Sequence, residues 1–410
     1  MRPAWLFTLS ALLASSALAG PLTYDDALKL ADQTAPSLRA QDADVRAAQS
    51  SAISAGRLPD PKASVEATDF PISGPLAGRP NLDNFSMVTL GVSQEVPSTA
   101  KRRSERAVAA TVISETEAQR LLEQRRVHIA AGLAWIDLYY AERRLAALDE
   151  IEQALAPMRR SAPAQLASGA ERPSQTVEPA QLTAALADRR AELVAAVEMA
   201  RADLGRWIDG AQAAEPSGDP PSETIDPVAL RANLDDLPEL RVRAAAIDHA
   251  DANADLAKAA KQPDWGVGVD YSHRDPRFGD YLSAKVTMSL PIFGSTRQDP
   301  LIAARLEDVD SAVAEQRQTR RDLAAALDSA LADHVMHHER LDQARGALVP
   351  LAERRAHLEA ASYAAGTASL TDVLSAALAL AEAKVDLINR EADVARDGAR
   401  ITLTYGSNPQ

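Results

Sequence analysis

From Leu374 onward, apolar or small residues recur as Leu374, Leu378, Ala381, Val385, Ile388, Ala392, Ala395 and Ala399. Steps of four and three in alternation place them on one helix face as a heptad seam. A second seam runs through Ala134, Leu138, Ala141, Leu145, Leu148, Ile151 and Leu155. It lies in a region predicted as helix from about Arg102 to Arg160. At roughly 1.5 Å per residue such a helix is on the order of 90 Å long, which no ordinary globular core matches. Alanine at many seam positions lets helices approach closely. An isolated two-stranded coiled coil is the plainer account of the seams alone.

Four short segments follow the other periodicity. In Asn84 to Val96, the residues Val88, Leu90, Val92 and Val96 alternate with Thr89, Gly91, Ser93 and Glu95. In Asp280 to Leu290, Leu282, Ala284, Val286, Met288 and Leu290 alternate with Ser283, Lys285, Thr287 and Ser289. Ala63, Val65 and Ala67 alternate with Ser64, Glu66 and Thr68, and Trp265, Val267, Val269 and Tyr271 with Gly266, Gly268, Asp270 and Ser272. A period of two predicts strands, here two hairpins with loops around Pro71 to Asp83 and Arg274 to Gly279. Their lengths suit the roughly 9–11 residues of a tilted strand crossing a bilayer, and the alternation suits a barrel that is apolar outside and polar inside. Four strands do not close a barrel, and an open edge in lipid leaves N–H and C=O groups unsatisfied, so several copies must pool their strands. A soluble, half-buried sheet would show the same alternation.

The two halves also echo each other. Pro36-Ser37-Leu38-Arg39 parallels Pro238-Glu239-Leu240-Arg241; Leu58-Pro59-Asp60 parallels Gln262-Pro263-Asp264; Glu95-Val96-Pro97-Ser98 parallels Ser289-Leu290-Pro291-Ile292; Gly169 parallels Gly366. A tandem duplication of helix, strand, strand, helix, turn, helix is predicted, with repeats at 20–209 and 227–410 and a Pro/Gly-rich linker at 210–226.

Composition narrows the picture. Residues 1–19 carry one positive charge, an apolar run and the small-x-small pattern Ala17-Leu18-Ala19, which predicts a cleaved secretory signal. No cysteine occurs, so neither a disulfide framework nor an N-terminal lipid anchor on cysteine is expected. No later apolar run is long enough for a spanning helix, so any membrane crossing must use strands. A formal charge of −14 argues against a nucleic-acid partner, and only five Phe, seven Tyr and four Trp point to thin helix–helix packing.

With its two-fold repeat, its two hairpins and the stretch Tyr363 to Leu374, YAAGTASLTDVL, the chain resembles the TolC family of outer-membrane efflux channels across nearly its whole length. More narrowly, Leu58 to Pro75 and Met87 to Arg103 look like the heavy-metal branch, of the CzcC and CusC type. The resemblance implies a mainly α fold with a small β part: long antiparallel coiled-coil helices and two transmembrane hairpins, assembled as a trimer into an α-barrel and a twelve-stranded β-barrel. It implies an outer membrane location in a Gram-negative bacterium, with outer membrane lipid, a periplasmic adaptor and an inner membrane RND pump as partners. Tyr363 and Asp372 would form the pore constriction, Gly169 and Gly366 the tip turns that dock the adaptor, and Glu66, Asp270, Lys285 and Thr287 the barrel lumen. Three Asp372 carboxylates around a three-fold axis would attract cations. A second acid found three positions later in one member is Ser375 here, and the basic and acidic partners of a family salt-bridge lock are replaced by Ala368 and Gln175. Asp372 also fits a plainer role, as an acid near a helix N-terminus.

No G-x-S-x-G, H-E-x-x-H, P-loop or Rossmann pattern occurs, so neither catalysis nor a cofactor is expected. His334 and His338 stand one helical turn apart and have the spacing to share a metal, yet a solvated helix face explains them and they are not counted as a site. The function these features predict is a passive exit duct of a tripartite efflux system, moving heavy-metal cations. A duct for drugs or a secreted polypeptide shares every structural feature, and a soluble periplasmic coiled-coil scaffold or adaptor is the rival of another class.

Overall fold

The computed structural model describes residues 20–167, 177–211, 214–221 and 225–406. The predicted signal segment, Gly169 and Gln175 lie outside them. In chain order the elements are β1 (Pro21–Leu22), α1 (Tyr24–Thr34), α2 (Pro36–Ala52), β2 (Lys62–Thr68), β3 (Met87–Val96), α3 (Thr99–Ala167), α4 (Glu178–Leu204), β4 (Glu215–Pro216), α5 (Pro227–Ala232), α6 (Pro238–Ala259), β5 (Trp265–His273), β6 (Tyr281–Met288), α7 (Gln298–Gln343), α8 (Val349–Ala364) and α9 (Leu370–Tyr405). The chain is mainly helical with a small sheet, as predicted.

The long helix is longer than its seam suggested. α3 has 69 residues, about 100 Å at the usual rise, and begins where the Ser98 hydroxyl accepts the Lys101 N–H at 3.2 Å. A hydroxyl one step before the first turn satisfies a donor that the helix cannot. Between α7 and α8, Ala344–Leu348 forms a π-helical turn just ahead of Pro350, whose missing N–H cannot continue the ladder.

The described residues fall into two compact units, one from the described parts of 1–39, 122–237 and 321–410, the other from Ala40–Leu121 and Pro238–Arg320. Each takes segments from both halves of the sequence, so the packing units are not the two sequence repeats.

In the first unit both seams face inward. Of the α9 positions, Leu374, Ala381, Val385, Ile388, Ala392, Ala395 and Ala399 are buried, and Ala134, Leu138, Ala141, Leu148 and Ile151 are buried on α3. Trp135 is fully buried among them. Its indole N–H donates to the Leu22 carbonyl at 2.8 Å, and its ring stacks on Tyr139 and meets Tyr24 edge-on. That bond ties β1, which pairs in parallel with β4, to the helical core. The stretch 210–226 is therefore more than a linker: it supplies β4, and its Ala211 and Ala214 are buried.

The second unit holds one four-stranded sheet in the order β2-β3-β5-β6, antiparallel throughout. The two predicted hairpins are thus joined edge to edge through β3 and β5, which alternation within single strands does not reveal.

Candidate functional site

Strand register decides which side chains share a face. Glu66 lies opposite Thr89 and Thr89 opposite Ser272; Gly91 lies opposite Asp270; Gly268 opposite Lys285; Gly266 opposite Thr287. Glu66, Asp270, Lys285 and Thr287 therefore share one face, as the alternation predicted. On this face the Thr89 and Ser272 hydroxyls hydrogen-bond across β3 and β5 at 2.8 Å. Gly91 is a matter of space: a Cβ there would stand 2.3 Å from Asp270 Oδ1 and 2.5 Å from Ser64 Oγ.

The opposite face is apolar and bare. Val65 is 75 % exposed, Leu90 54 %, Val269 52 % and Val286 69 %. A water-soluble sheet buries its apolar face at roughly 25 cal/mol per Å², and a contiguous uncovered patch of this kind marks a membrane or protein interface. Aromatic side chains lie near the strand ends, with Phe70, Phe85 and Tyr281 toward the loops and Trp265 and Phe293 at the other end, all exposed. Such residues suit the boundary between hydrocarbon and water.

The loops at one end are held by Arg274, which sequence patterning did not single out. It is buried, donates to the carbonyls of Asn84 at 3.0 Å and Gly279 at 2.9 Å and to that of Phe278, and its guanidinium lies 3.9 Å from the Tyr281 ring centroid. One side chain thereby fastens the β5–β6 loop to the β2–β3 loop.

The turn between α8 and α9 explains the spacing of its glycine and its acid. Gly366 has φ +75°, a left-handed conformation that a residue with a Cβ adopts only with strain. Its N–H donates to Tyr363 O at 2.9 Å, and the Thr367 N–H reaches Ser362 O at 2.9 Å, the pair of bonds that closes a Schellman turn. Three residues after Gly366, Ser369 caps α9: its hydroxyl accepts the Asp372 N–H at 3.2 Å, while Asp372 Oδ2 accepts the Ser369 N–H at 2.9 Å. This reciprocal capping box needs an acid at the third helical position, and that position is Asp372. Tyr363 packs, partly buried, against the Leu370 and Leu374 cluster.

The Ser369 hydroxyl, and after it the Ser369 N–H, hold the Asp372 carboxyl below the usual carboxylate range. A lowered value stabilises the fold above the ordinary Asp value of roughly 3.9, and that contribution is lost as pH falls through the lower, folded value. The Ser369 N–H at 2.9 Å and the Ser369 hydroxyl at 2.7 Å both donate to Oδ2, which leaves Oδ1 outside the cap. Ser369→Ala is expected to cost about 1 kcal/mol while keeping the charge. Asp372→Asn keeps an acceptor and removes the charge. Thermal unfolding of the two variants checks the cap, with the larger loss expected in Ser369→Ala.

The histidines on α7 stand apart from this site. The His334 and His338 rings are 4.5 Å apart and line a cavity of about 370 Å³ with Tyr140, Arg345 and Glu391. Burial, and next His338, lower the His334 pKa. His337 is bonded to Asp397 at 2.6 Å. Among the described residues no group of three or more His, Asp or Glu is placed to hold a metal.

A mainly helical chain that carries one small sheet with an uncovered apolar face is the fold that the comparisons match. Residues 230–407 match the family model of the outer membrane efflux proteins. The fold is similar to that of a membrane protein from Pseudomonas aeruginosa, with a TM-score of 0.80 and 18 % identity over 93 % of this chain and 90 % of that one. It is similar to the Campylobacter jejuni outer membrane channel CmeC, with a TM-score of 0.77 and 15 % identity over 93 % and 85 % of the two chains. It is also similar to CusC, with a TM-score of 0.74 and 14 % identity over 94 % and 92 %. No curated protein sequence matches the chain. The matched family and fold are those of non-enzymatic channels.

Proposed function

We propose that the protein is the outer membrane exit duct of a tripartite efflux system, a homotrimer whose pooled strands form a barrel in the outer membrane. The observation that carries this is the four-stranded sheet with both edges open and its apolar face uncovered. Lipid requires such edges to be paired, and three copies supply each edge with a partner. Glu66, Asp270, Lys285 and Thr287 then line the lumen. The periplasmic mouth is formed by Asp372 with Tyr363, and Gly169 and Gly366 dock a periplasmic adaptor. The energy comes from an inner membrane RND pump.

The proposed cargo is a heavy-metal cation. Its support is the sequence of Leu58 to Pro75 and Met87 to Arg103, since CusC is no nearer in fold than CmeC. Deleting the gene is expected to sensitise cells to copper, silver, zinc, cobalt or cadmium more than to hydrophobic drugs. The reverse order would assign the duct to drug efflux. For the channel itself, the mature protein is expected to extract from membranes only with detergent and to run as a heat-labile trimer. Recovery as a soluble periplasmic monomer would end this proposal.

The same two variants of the α8–α9 turn separate capping from pore chemistry. With three Asp372 carboxylates at the mouth, Asp372→Asn lowers cation selectivity and multivalent-cation block in planar bilayers, whereas Ser369→Ala leaves both intact. Equal selectivity in wild type and Asp372→Asn, with the trimer present, would remove Asp372 from the pore.

A further inference from the structure

The two hairpins correspond residue by residue. β2 maps onto β5 at an offset of 204 positions, carrying Pro59-Asp60 onto Pro263-Asp264, and β3 maps onto β6 at an offset of 194, carrying Val96-Pro97 onto Leu290-Pro291. The strand registers obey the same mapping. Val65 faces Leu90 in the first hairpin, and their counterparts Val269 and Ala284 face each other in the second. The chain contains one junction between hairpins, β3 with β5, and leaves two unpaired edges, β6 and β2, which are the counterparts of β3 and β5.

We infer that β6 of one protomer pairs with β2 of the partner subunit in the register that the mapping carries over from the β3–β5 junction, setting Lys285 directly opposite Glu66 of the partner subunit. The inference rests on the homotrimeric reading above and goes beyond it by fixing which residues meet. Across β3–β5, Gly91 faces Asp270, Val92 faces Val269 and Thr89 faces Ser272. Translated, Lys285 faces the partner's Glu66, Val286 faces the partner's Val65, and Ser283 faces the partner's Thr68. Every pair is chemically matched. The apolar pair stays apolar, and the hydroxyl pair seen between Thr89 and Ser272 recurs as Ser283 with Thr68. At the remaining position the solution differs. Within the chain a glycine leaves room for Asp270; between chains a cation meets an anion. Directly opposed charges of opposite sign stabilise a strand pair, and like charges destabilise it. Within one chain Glu66 and Lys285 sit on opposite outer strands, both exposed, and neither has an ion-pair partner among the described residues.

The natural absence of cysteine makes the test direct. Directly opposed Cβ atoms lie about 4.5–5.5 Å apart and diagonal neighbours about 7–8 Å, while a disulfide needs about 3.5–4.5 Å. Full-length protein carrying Glu66→Cys and Lys285→Cys is oxidised in the outer membrane and run on a denaturing, non-reducing gel. A covalent trimer ladder is expected for this pair. Much weaker linking is expected when Glu66→Cys is combined with Ser283→Cys or Thr287→Cys, which lie two positions off on the same face. A ladder strongest for either shifted pair overturns the register while leaving the trimer standing. Failure of an amine-directed cross-linker to yield any trimer overturns the trimer itself. As a second readout, Glu66→Lys is expected to lower the temperature at which the trimer dissociates, and Glu66→Lys with Lys285→Glu to restore it. No restoration, in a double variant that still assembles, contradicts the pairing.

Discussion

Leu90→Arg is expected to abolish assembly in the outer membrane, whereas Thr89→Arg, one residue earlier, is expected to assemble. Leu90 sits mid-strand on the bare face, between Val65 on β2 and Tyr271 on β5. At the bilayer midplane an outward arginine costs about 2–4 kcal/mol, and in a trimer that cost falls on every protomer. Thr89 lies on the polar face with Glu66 and Ser272, where an arginine is expected to be solvated and to change only the charge of that face. Heat-labile trimer in outer membrane fractions, compared between the two variants, checks this. Equal assembly would mean that the apolar face does not meet lipid, and equal failure would mean that the polar face is packed.

The second large effect lies in the helical core. Trp135→Ala is expected to destabilise the protein by about 3–5 kcal/mol, the usual cost of removing a large buried aromatic. It empties a fully buried site and removes one of the two donors to the Leu22 carbonyl, the Ser217 N–H at 3.0 Å remaining. Trp135→Phe keeps most of the packing and loses one of the two hydrogen bonds at that carbonyl, so its cost is expected nearer the roughly 0.5–1.5 kcal/mol of a single net hydrogen bond. The midpoints of chemical denaturation for the purified trimers rank the three proteins. If Trp135→Ala unfolds where wild type does, the tie between β1 and the core carries no stability.

Much of this fold was legible because its two periodicities are long and clean. The α9 seam is visible as a pattern of four and three from Leu374 to Ala399, since a helix buries only what returns every turn. The four strands are visible because one face must be apolar and the other polar. What escaped is whatever depends on contacts distant in sequence. Nothing in β3 or β5 alone announces that they pair, and the two-residue strands β1 and β4 are too short for any pattern. Arg274 is one charged residue in a loop until its carbonyl partners at Asn84, Phe278 and Gly279 are brought to it. Asp372 shows a different limit. Ser369 followed by an acid three residues later is a helix-start signature in its own right. The resemblance implies a pore role for the same residue, and the two bonds from Ser369 fall on one carboxylate oxygen and leave the other outside the cap.

The proposed function requires the sheet to build a water-filled path through a membrane. The most direct measurement is the conductance of the purified, detergent-extracted protein in planar lipid bilayers. Discrete, uniform current steps that disappear when the trimer is dissociated by heating are the predicted result. A trimer that inserts no conductance under any voltage, or steps that persist after dissociation, would contradict it.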